Sequence, residues 1–262
     1  MRLSVAIITC NEEHKLPRTL ASLAGVADEI VVVDSGSTDA TLEIARAAGA
    51  KVFSEAWKGY AAQKNSAIAK CAGDWILSLD ADEALSPKLA ALLARGREWR
   101  FPSQSSSRAH PGPVNGFWIS RKNFFLGRWI RHGGFYPDRK LRLFRRGTGQ
   151  FEERLVHEVI RVAGATATLP GALLHDAYPT LTGYLAQMNR YSSLGAEMAA
   201  AGRPQGFSLA DIVLRPAFTF LYNYFFRLGF LDGREGLLLH LYHAVYVSWK
   251  YAKAWEQGRE KR

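Results

Sequence analysis

The chain of 262 residues is 48% apolar and has two cysteines, which excludes a disordered chain and a disulfide-stapled scaffold and fits a reducing compartment. It shows neither a run of 18 apolar residues nor a signal-peptide pattern, so no membrane-spanning helix and no secretion are expected. The formal net charge of +10 is uneven: residues 1–120 carry 13 basic and 13 acidic groups, residues 121–161 carry 11 and 4, and residues 203–262 carry 9 and 5, so anionic partners (phosphates, nucleic acid or a lipid surface) face the second half.

Leu3 to Thr9 reads as a first buried strand, ended by Asn11-Glu12-Glu13, and Lys15 to Leu23 has helical spacing. Glu29 to Asp34 is a continuous, β-branched second strand. Ser35-Gly-Ser-Thr-Asp39 turns into a helix from about Ala40 to Ala48, with good cap residues before it and Gly49 after it. Lys51 to Ser54 is a short third strand, and Tyr60 to Cys71 a helix closed by Gly73. Trp75 to Leu79 is the fourth strand, and Ser86-Pro87 opens the next helix. This alternation predicts an α/β fold with a mostly parallel sheet.

The fourth strand runs straight into Asp80-Ala-Asp82. Open α/β sheets bind ligands at the carboxyl ends of their strands. Two carboxylates at i, i+2 share a face if strand geometry persists. Hard oxygen ligands that also meet a diphosphate suit Mg²⁺ or Mn²⁺. An isolated Asp-x-Asp is more often a solvated turn; three preceding β-α signals reverse those odds here.

Residues 101–113 are rich in Ser and Pro and read as a loop beside the site. Gly116 to Arg121 reads as another strand. A basic, aromatic stretch follows, with Tyr136-Pro-Asp138, Leu141-Arg-Leu-Phe144 and Val156-His-Glu158. Strand alternation sets Arg142 and Phe144 opposite Leu141 and Leu143. Arg139, Arg142 and Arg145 are candidates for charge-assisted contacts to phosphates. From Leu209 to Trp255 two helical faces recur, Leu214, Phe218, Leu221, Tyr222 and Phe225, then Leu237, Leu241, Tyr242, Val245 and Trp249, with a break at residues 229–236. With nearby basic groups they read as amphipathic helices lying on a membrane or packed on the protein.

Thr9-Cys-Asn-Glu12, Asp34-Ser-Gly-Ser-Thr-Asp39, Lys64-Asn65 and Asp80-Ala-Asp82 together resemble the nucleotide-sugar motifs of family 2 glycosyltransferases with the GT-A fold. The later motifs resemble a branch that includes bacterial lipopolysaccharide core β-1,4-glucosyltransferases. The resemblance implies that Thr9, Asn11, Glu12, Asp34, Ser35, Lys64, Asn65 and Asp80 line the donor site. It implies a Mg or Mn ion on Asp82, with Asp80 and His157 as further contacts, and an inverting reaction. Where the family often has an aromatic, this chain has Cys10. A general base is expected after a Gly-x-Phe segment, which Gly149-Gln-Phe151 supplies; Glu158 is the first candidate and Asp138 the second.

The expected organisation is a catalytic domain over residues 1–202, with a donor half at 1–100 and an acceptor half at 114–202, then a helical segment at 203–262. The expected partners are UDP-glucose, a phosphorylated glycolipid acceptor and the inner face of the cytoplasmic membrane, and not nucleic acid; oligomeric state is left open. Two other classes fit the residues less well. A nucleotidyltransferase would carry a Gly-rich loop after the first strand, and Thr9-Cys-Asn-Glu12 has no glycine. A lipid- or nucleic-acid-binding module would leave the acidic loops unexplained.

Overall fold

The structure is a computed structural model that describes residues 2–95, 113–152, 159–202 and 207–260. The strands β1 (Leu3–Thr9), β2 (Glu29–Asp34), β3 (Lys51–Ser54) and β4 (Trp75–Asp80) alternate with the helices α1 (Leu16–Ser22), α2 (Thr41–Ala47) and α3 (Tyr60–Ala69). β1 lies between β2 and β4, parallel to both, and β3 extends β2 in parallel. The interiors of β1, β2 and β4 are buried nearly throughout, as parallel strands covered on both faces require.

Then come β5 (Glu83–Leu85), α4 (Pro87–Arg95), β6 (Val114–Phe125), β7 (Arg128–Trp129), β8 (Asp138–Arg145), β9 (Gly149–Glu152), β10 (Val159–Val162) and β11 (Ala165–Tyr178). Among the described residues one sheet has the order β3-β2-β1-β4-β8-β6-β11-β5, with β7 on β6, while β9 and β10 pair separately. The half of this sheet read from the sequence is parallel; β8 joins it antiparallel to β4. The chain ends in α5 (Leu181–Gly202), a π-helical turn (Ala210–Leu214), α6 (Arg215–Leu221), a second π-helical turn (Tyr222–Phe226), a 3₁₀ turn (Gly229–Asp232) and α7 (Gly233–Glu260).

The chain forms two compact units, Met1–Arg121 with Asp138–His175, and Lys122–Pro137 with Asp176–Arg262. The first unit holds two cores, because strand side chains alternate between faces. Val5 and Ile7 of β1 and Leu77 and Leu79 of β4 join Leu16, Leu20 and Leu89 on one face. Ala6 and Ile76 join Val31, Ala67 and Phe144 on the other. In the second unit Phe125, Ile130, Tyr184, Met188 and Leu239 form the core, with Tyr242, Tyr246 and Trp249 packed against it. Residues 122–137 and α5 therefore pack with the C-terminal helices. Asp232, 1% exposed, fastens residues 131 and 132 within this unit by accepting the Arg131 and His132 N–H groups.

Candidate active site

The register of the parallel strands sets the site. Thr9 lies opposite Asp34, and Ile8 opposite Asp80, so the three motif residues end their strands side by side at one sheet edge. Asp34 is fully buried. Its Oδ1 accepts the Gly36 and Ser37 N–H groups at 2.9 and 2.8 Å. Its Oδ2 accepts from Thr9 Oγ1 at 2.8 Å and from the Ser37 hydroxyl. Burial pushes the Asp34 carboxyl up, but these donors outweigh it and hold the group below its ordinary value. Gly36 has φ +98°, a conformation a side chain would strain, and this lets the loop fold back over Asp34.

The first loop is stitched to the second. Asn11 adopts φ +54°, which Asn tolerates better than most residues. Its N–H donates to Ser37 Oγ and its Oδ1 accepts the Thr38 N–H, both at 2.8 Å. The Glu12 N–H donates to Thr41 Oγ1 at 2.8 Å. The two motifs thus form one wall. Ser35 Oγ is buried there without a partner among the described residues, which leaves one hydroxyl in the wall for a polar ligand atom.

Beside the wall runs a line of alternating charges. Lys64 Nζ meets Asp80 Oδ1 at 2.7 Å. Arg142 Nη2 bridges Asp80 Oδ2 at 2.5 Å and Glu83 Oε1 at 2.7 Å. Arg121 reaches Glu83 at 3.2 Å and Asp138 Oδ2 at 2.8 Å, and Lys140 closes the line on Asp138 Oδ1 at 3.1 Å. Burial opposes ionisation of Asp80, yet Arg142 and then Lys64 hold its carboxyl well below the usual range. Burial opposes the charge on Arg142 too, and Asp80 and Glu83 reverse it and raise its pKa.

Asp82 stands apart from that line. Its Oδ2 lies 3.5 Å from His175 Nε2 and 3.9 Å from Lys15 Nζ, which also meets Glu12 at 3.6 Å. Burial raises the Asp82 carboxyl, but the hydrogen bond and charge of His175 outweigh it and leave a lowered value. Glu12 is raised, by burial first, with Lys15 opposing and Asp82 adding to it. His175 arrives here because β11 pairs with β5 in a register that sets it opposite Glu83, the neighbour of Asp82.

Residues 4–149, more than half of the chain, match the family model described as Glycosyl transferase family 2. The chain belongs to that family. It is 31% identical over 264 aligned residues to the lipopolysaccharide core biosynthesis glycosyltransferase LpsC of Rhizobium meliloti (strain 1021), a likeness that spans 97% of this chain and 92% of that protein. A shorter likeness, 47% over 107 residues, joins 41% of this chain to 35% of an uncharacterized glycosyltransferase of Rickettsia typhi. Among solved structures, the mannosyltransferase PcManGT from Pyrobaculum calidifontis, in complex with GDP-Man and Mn²⁺, superposes with a TM-score of 0.53 over 98% of this chain and 88% of that one, at 17% identity. That likeness carries the fold, which is GT-A.

On this family 2 chain the predicted site residues separate by position. Thr9, Asn11, Glu12, Asp34 and Ser35 come together in the wall, with Asp80 and Lys64 next to it. Asn65 holds the Phe151 backbone: its Nδ2 donates to the Phe151 carbonyl and its Oδ1 accepts the Phe151 N–H, both at 2.9 Å. Arg142 was assigned from its strand position to phosphates, but it is 6% exposed and committed to Asp80 and Glu83, because β8 lies between β4 and β6. Arg139 and Arg145 are exposed, and Arg145 lies over the Trp75 ring. His157 and Glu158 lie outside the described residues.

Sequence reasoning missed His175, Glu83, Lys15 and Arg121. The sole sequence signal for His175 is that it ends the apolar pair Leu173-Leu174. A divalent cation fits the remaining chemistry. Among the described residues no three His, Cys, Asp or Glu side chains form a ready cation cage, and Asp80 is already neutralised by Lys64 and Arg142. Asp82 and His175 nevertheless offer an oxygen and an imidazole nitrogen side by side. Ions at phosphate sites are commonly held by one or two carboxylates together with substrate phosphates.

Proposed function

We propose that this family 2 glycosyltransferase moves glucose from UDP-glucose, with inversion at the anomeric carbon, to a phosphorylated sugar of a lipopolysaccharide core or related glycolipid at the inner face of the cytoplasmic membrane. The observation that carries the reading is the Asp82–His175 pair at the edge where Thr9, Asp34 and Asp80 end their strands. Asp82 and His175 would hold a Mg or Mn ion, which when bound neutralises the departing diphosphate. Likeness to LpsC, named for lipopolysaccharide core biosynthesis, supports the acceptor class. The Mn²⁺ and GDP-Man in the PcManGT structure belong to that protein and agree with a nucleotide-sugar donor here.

The residues divide the work. The wall of Thr9, Asn11, Asp34 and Ser35 receives the nucleoside, and Ser35 Oγ gains a partner there. Asp80, fixed by Lys64 and Arg142, presents its carboxylate to the ribose. Lys15, 38% exposed at its side chain, can turn from Asp82 towards the diphosphate and meet it with a charge-assisted hydrogen bond. The acceptor hydroxyl oxygen attacks the anomeric carbon, the bond to the diphosphate breaks, and the hydroxyl proton passes to a carboxylate.

Glu158 is the proposed base. Asp138 is the weaker candidate, since both its oxygens are engaged by Arg121 and Lys140. Glu158→Gln should keep UDP-glucose binding and lose transfer by about 10²–10⁴-fold, while Asp138→Asn stays active; single-turnover assays giving the reverse pattern would move the base to Asp138.

Donor choice is tested by thermal shift. UDP-glucose with Mn²⁺ should stabilise the protein by roughly 2.7 kcal/mol at one hundred times its dissociation constant, and by less without the ion. A chain that no nucleotide sugar stabilises, with or without Mn²⁺, is not described by this reading.

A further inference from the structure

In the second unit the segment from Val213 to Phe226 turns its apolar side outward. Val213, Leu214, Phe218, Leu221, Tyr222, Phe225 and Phe226 are 46–78% exposed, Phe226 the most. They fall at 213/214, 217/218, 221/222 and 225/226, the spacing of one helical face, with Ala217 also exposed. The Phe218 and Tyr222 rings stack with centroids 5.8 Å apart and planes 12° apart, and Tyr222 and Phe226 follow at 6.3 Å and 24°. The result is a continuous apolar stripe roughly 20 Å long, aromatic over its last roughly 12 Å. Soluble monomers seldom expose contiguous apolar surface of this kind, and where they do it marks a contact.

Within the stripe itself the charge is of one sign, with Asp211 just before it. Residues 213–228 contain no Asp or Glu. Arg215 and Arg227 are exposed at its margins, and Arg227 lies over the Tyr222 ring. Asp211 pairs with Arg215. No helix among the described residues is long and apolar enough to cross a bilayer, and the stripe is shorter than the roughly 30 Å of a hydrocarbon core. An exposed apolar face rimmed by arginines is the composition of a helix lying in the plane of an anionic membrane surface. A second copy of the chain set on this stripe would bring no carboxylate from residues 213–228 to meet the arginines.

We infer that residues 213–226 are the membrane-docking surface of this protein, with an anionic phospholipid bilayer as its occupant. The inference rests on the reading of the acceptor as a membrane glycolipid, and it deepens that reading by naming the surface. It also reassigns the second helical face seen in the sequence. Leu239, Tyr242, Tyr246 and Trp249 of α7 pack within their own unit; only the fringe residues Leu237 and Leu241 are exposed, at 40% and 43%.

The test uses the full chain and vesicles of phosphatidylcholine, with and without phosphatidylglycerol. Wild-type protein should float with the phosphatidylglycerol vesicles at low salt and be partly released by high salt. The double substitution Phe218→Ser/Phe226→Ser should weaken vesicle binding roughly 10- to 100-fold while the melting temperature and the UDP-glucose thermal shift stay as in wild type. Wild type that floats with neither vesicle, or a double variant that floats equally well, overturns the inference. So does a wild-type dimer in light scattering that the double substitution splits, and so does a double variant that no longer folds, since the stripe would then be core. Wild-type protein that shows the donor shift but floats with neither vesicle counts against the docking surface alone; wild-type protein that floats with the phosphatidylglycerol vesicles but shows no donor shift counts against the transferase reading alone.

Discussion

Asp82→Asn should abolish sugar transfer and leave the fold intact. The side chain sits at the sheet edge, 22% exposed, between His175 at 3.5 Å and Lys15 at 3.9 Å. Its carboxylate is held charged by His175 against the pull of burial, so it is an anion throughout the neutral range. An amide of the same shape keeps the packing but removes the charge that would hold a cation against the diphosphate. The lost interactions with His175 and Lys15 are partly solvated, so stability should change by no more than about 1 kcal/mol. Three measurements check this together. Turnover of UDP-glucose should vanish, the Mn²⁺-dependent part of the UDP-glucose thermal shift should disappear, and the melting temperature without ligand should hold. Normal turnover by the variant in Mg²⁺ or Mn²⁺ would remove Asp82 from the metal site. His175→Ala should show the same pattern in weaker form, because the carboxylate remains.

Arg142→Met should instead damage the fold. One nitrogen of this guanidinium serves Asp80 and Glu83 together, and Glu83 is 0% exposed. Removing one partner of a buried ion pair typically costs about 3–5 kcal/mol, because the other charge stays buried. Lys64 still meets Asp80 and Arg121 still reaches Glu83, which places the expected loss near the lower end, about 3 kcal/mol. Arg142→Lys should recover little, since an ammonium cannot reproduce the planar fork.

The acid limb of the stability curve gives a second readout. Asp80 has a depressed pKa in the folded protein, so its contribution is present above the unfolded carboxyl value of about 3.9. It is lost as pH falls through the folded value. Without Arg142 the folded value moves up towards the ordinary one, and acid unfolding should begin at a higher pH. Urea titrations across the acid range measure both effects; a variant as stable as wild type at every pH would show that the bridge contributes nothing.

Much of this protein was legible in its sequence because the deciding information is local. The apolar runs Leu3 to Thr9, Glu29 to Asp34 and Trp75 to Leu79, each ended by a polar loop, required buried parallel strands with a polar carboxyl edge. The motifs at those ends were enough to resemble the family to which the chain belongs. That Thr9, Asp34 and Asp80 end their strands at the carboxyl edge followed from the β-α alternation, whereas the return of β4 to pair with β1 and not with β3, which sets Asp80 beside Thr9, was decided only by the tertiary structure.

What lay beyond the sequence depends on contacts between distant segments. His175 reaches Asp82 through the pairing of β11 with β5, and no window around either residue contains that register. Alternation told which way Arg142 points, but only the placement of β8 between β4 and β6 decided that this face is covered and that the guanidinium neutralises carboxylates instead of meeting solvent. The hydrogen bonds of Asn65 to the Phe151 backbone span 86 positions, so no local window contains them. Helical spacing showed an apolar stripe in both C-terminal segments alike. Packing within the second unit turned the stripe of α7 inward and left that of residues 213–226 outward. Periodicity fixes where a helix is apolar, whereas the direction that face takes is set by the free energy of burying it against partners far away in the chain.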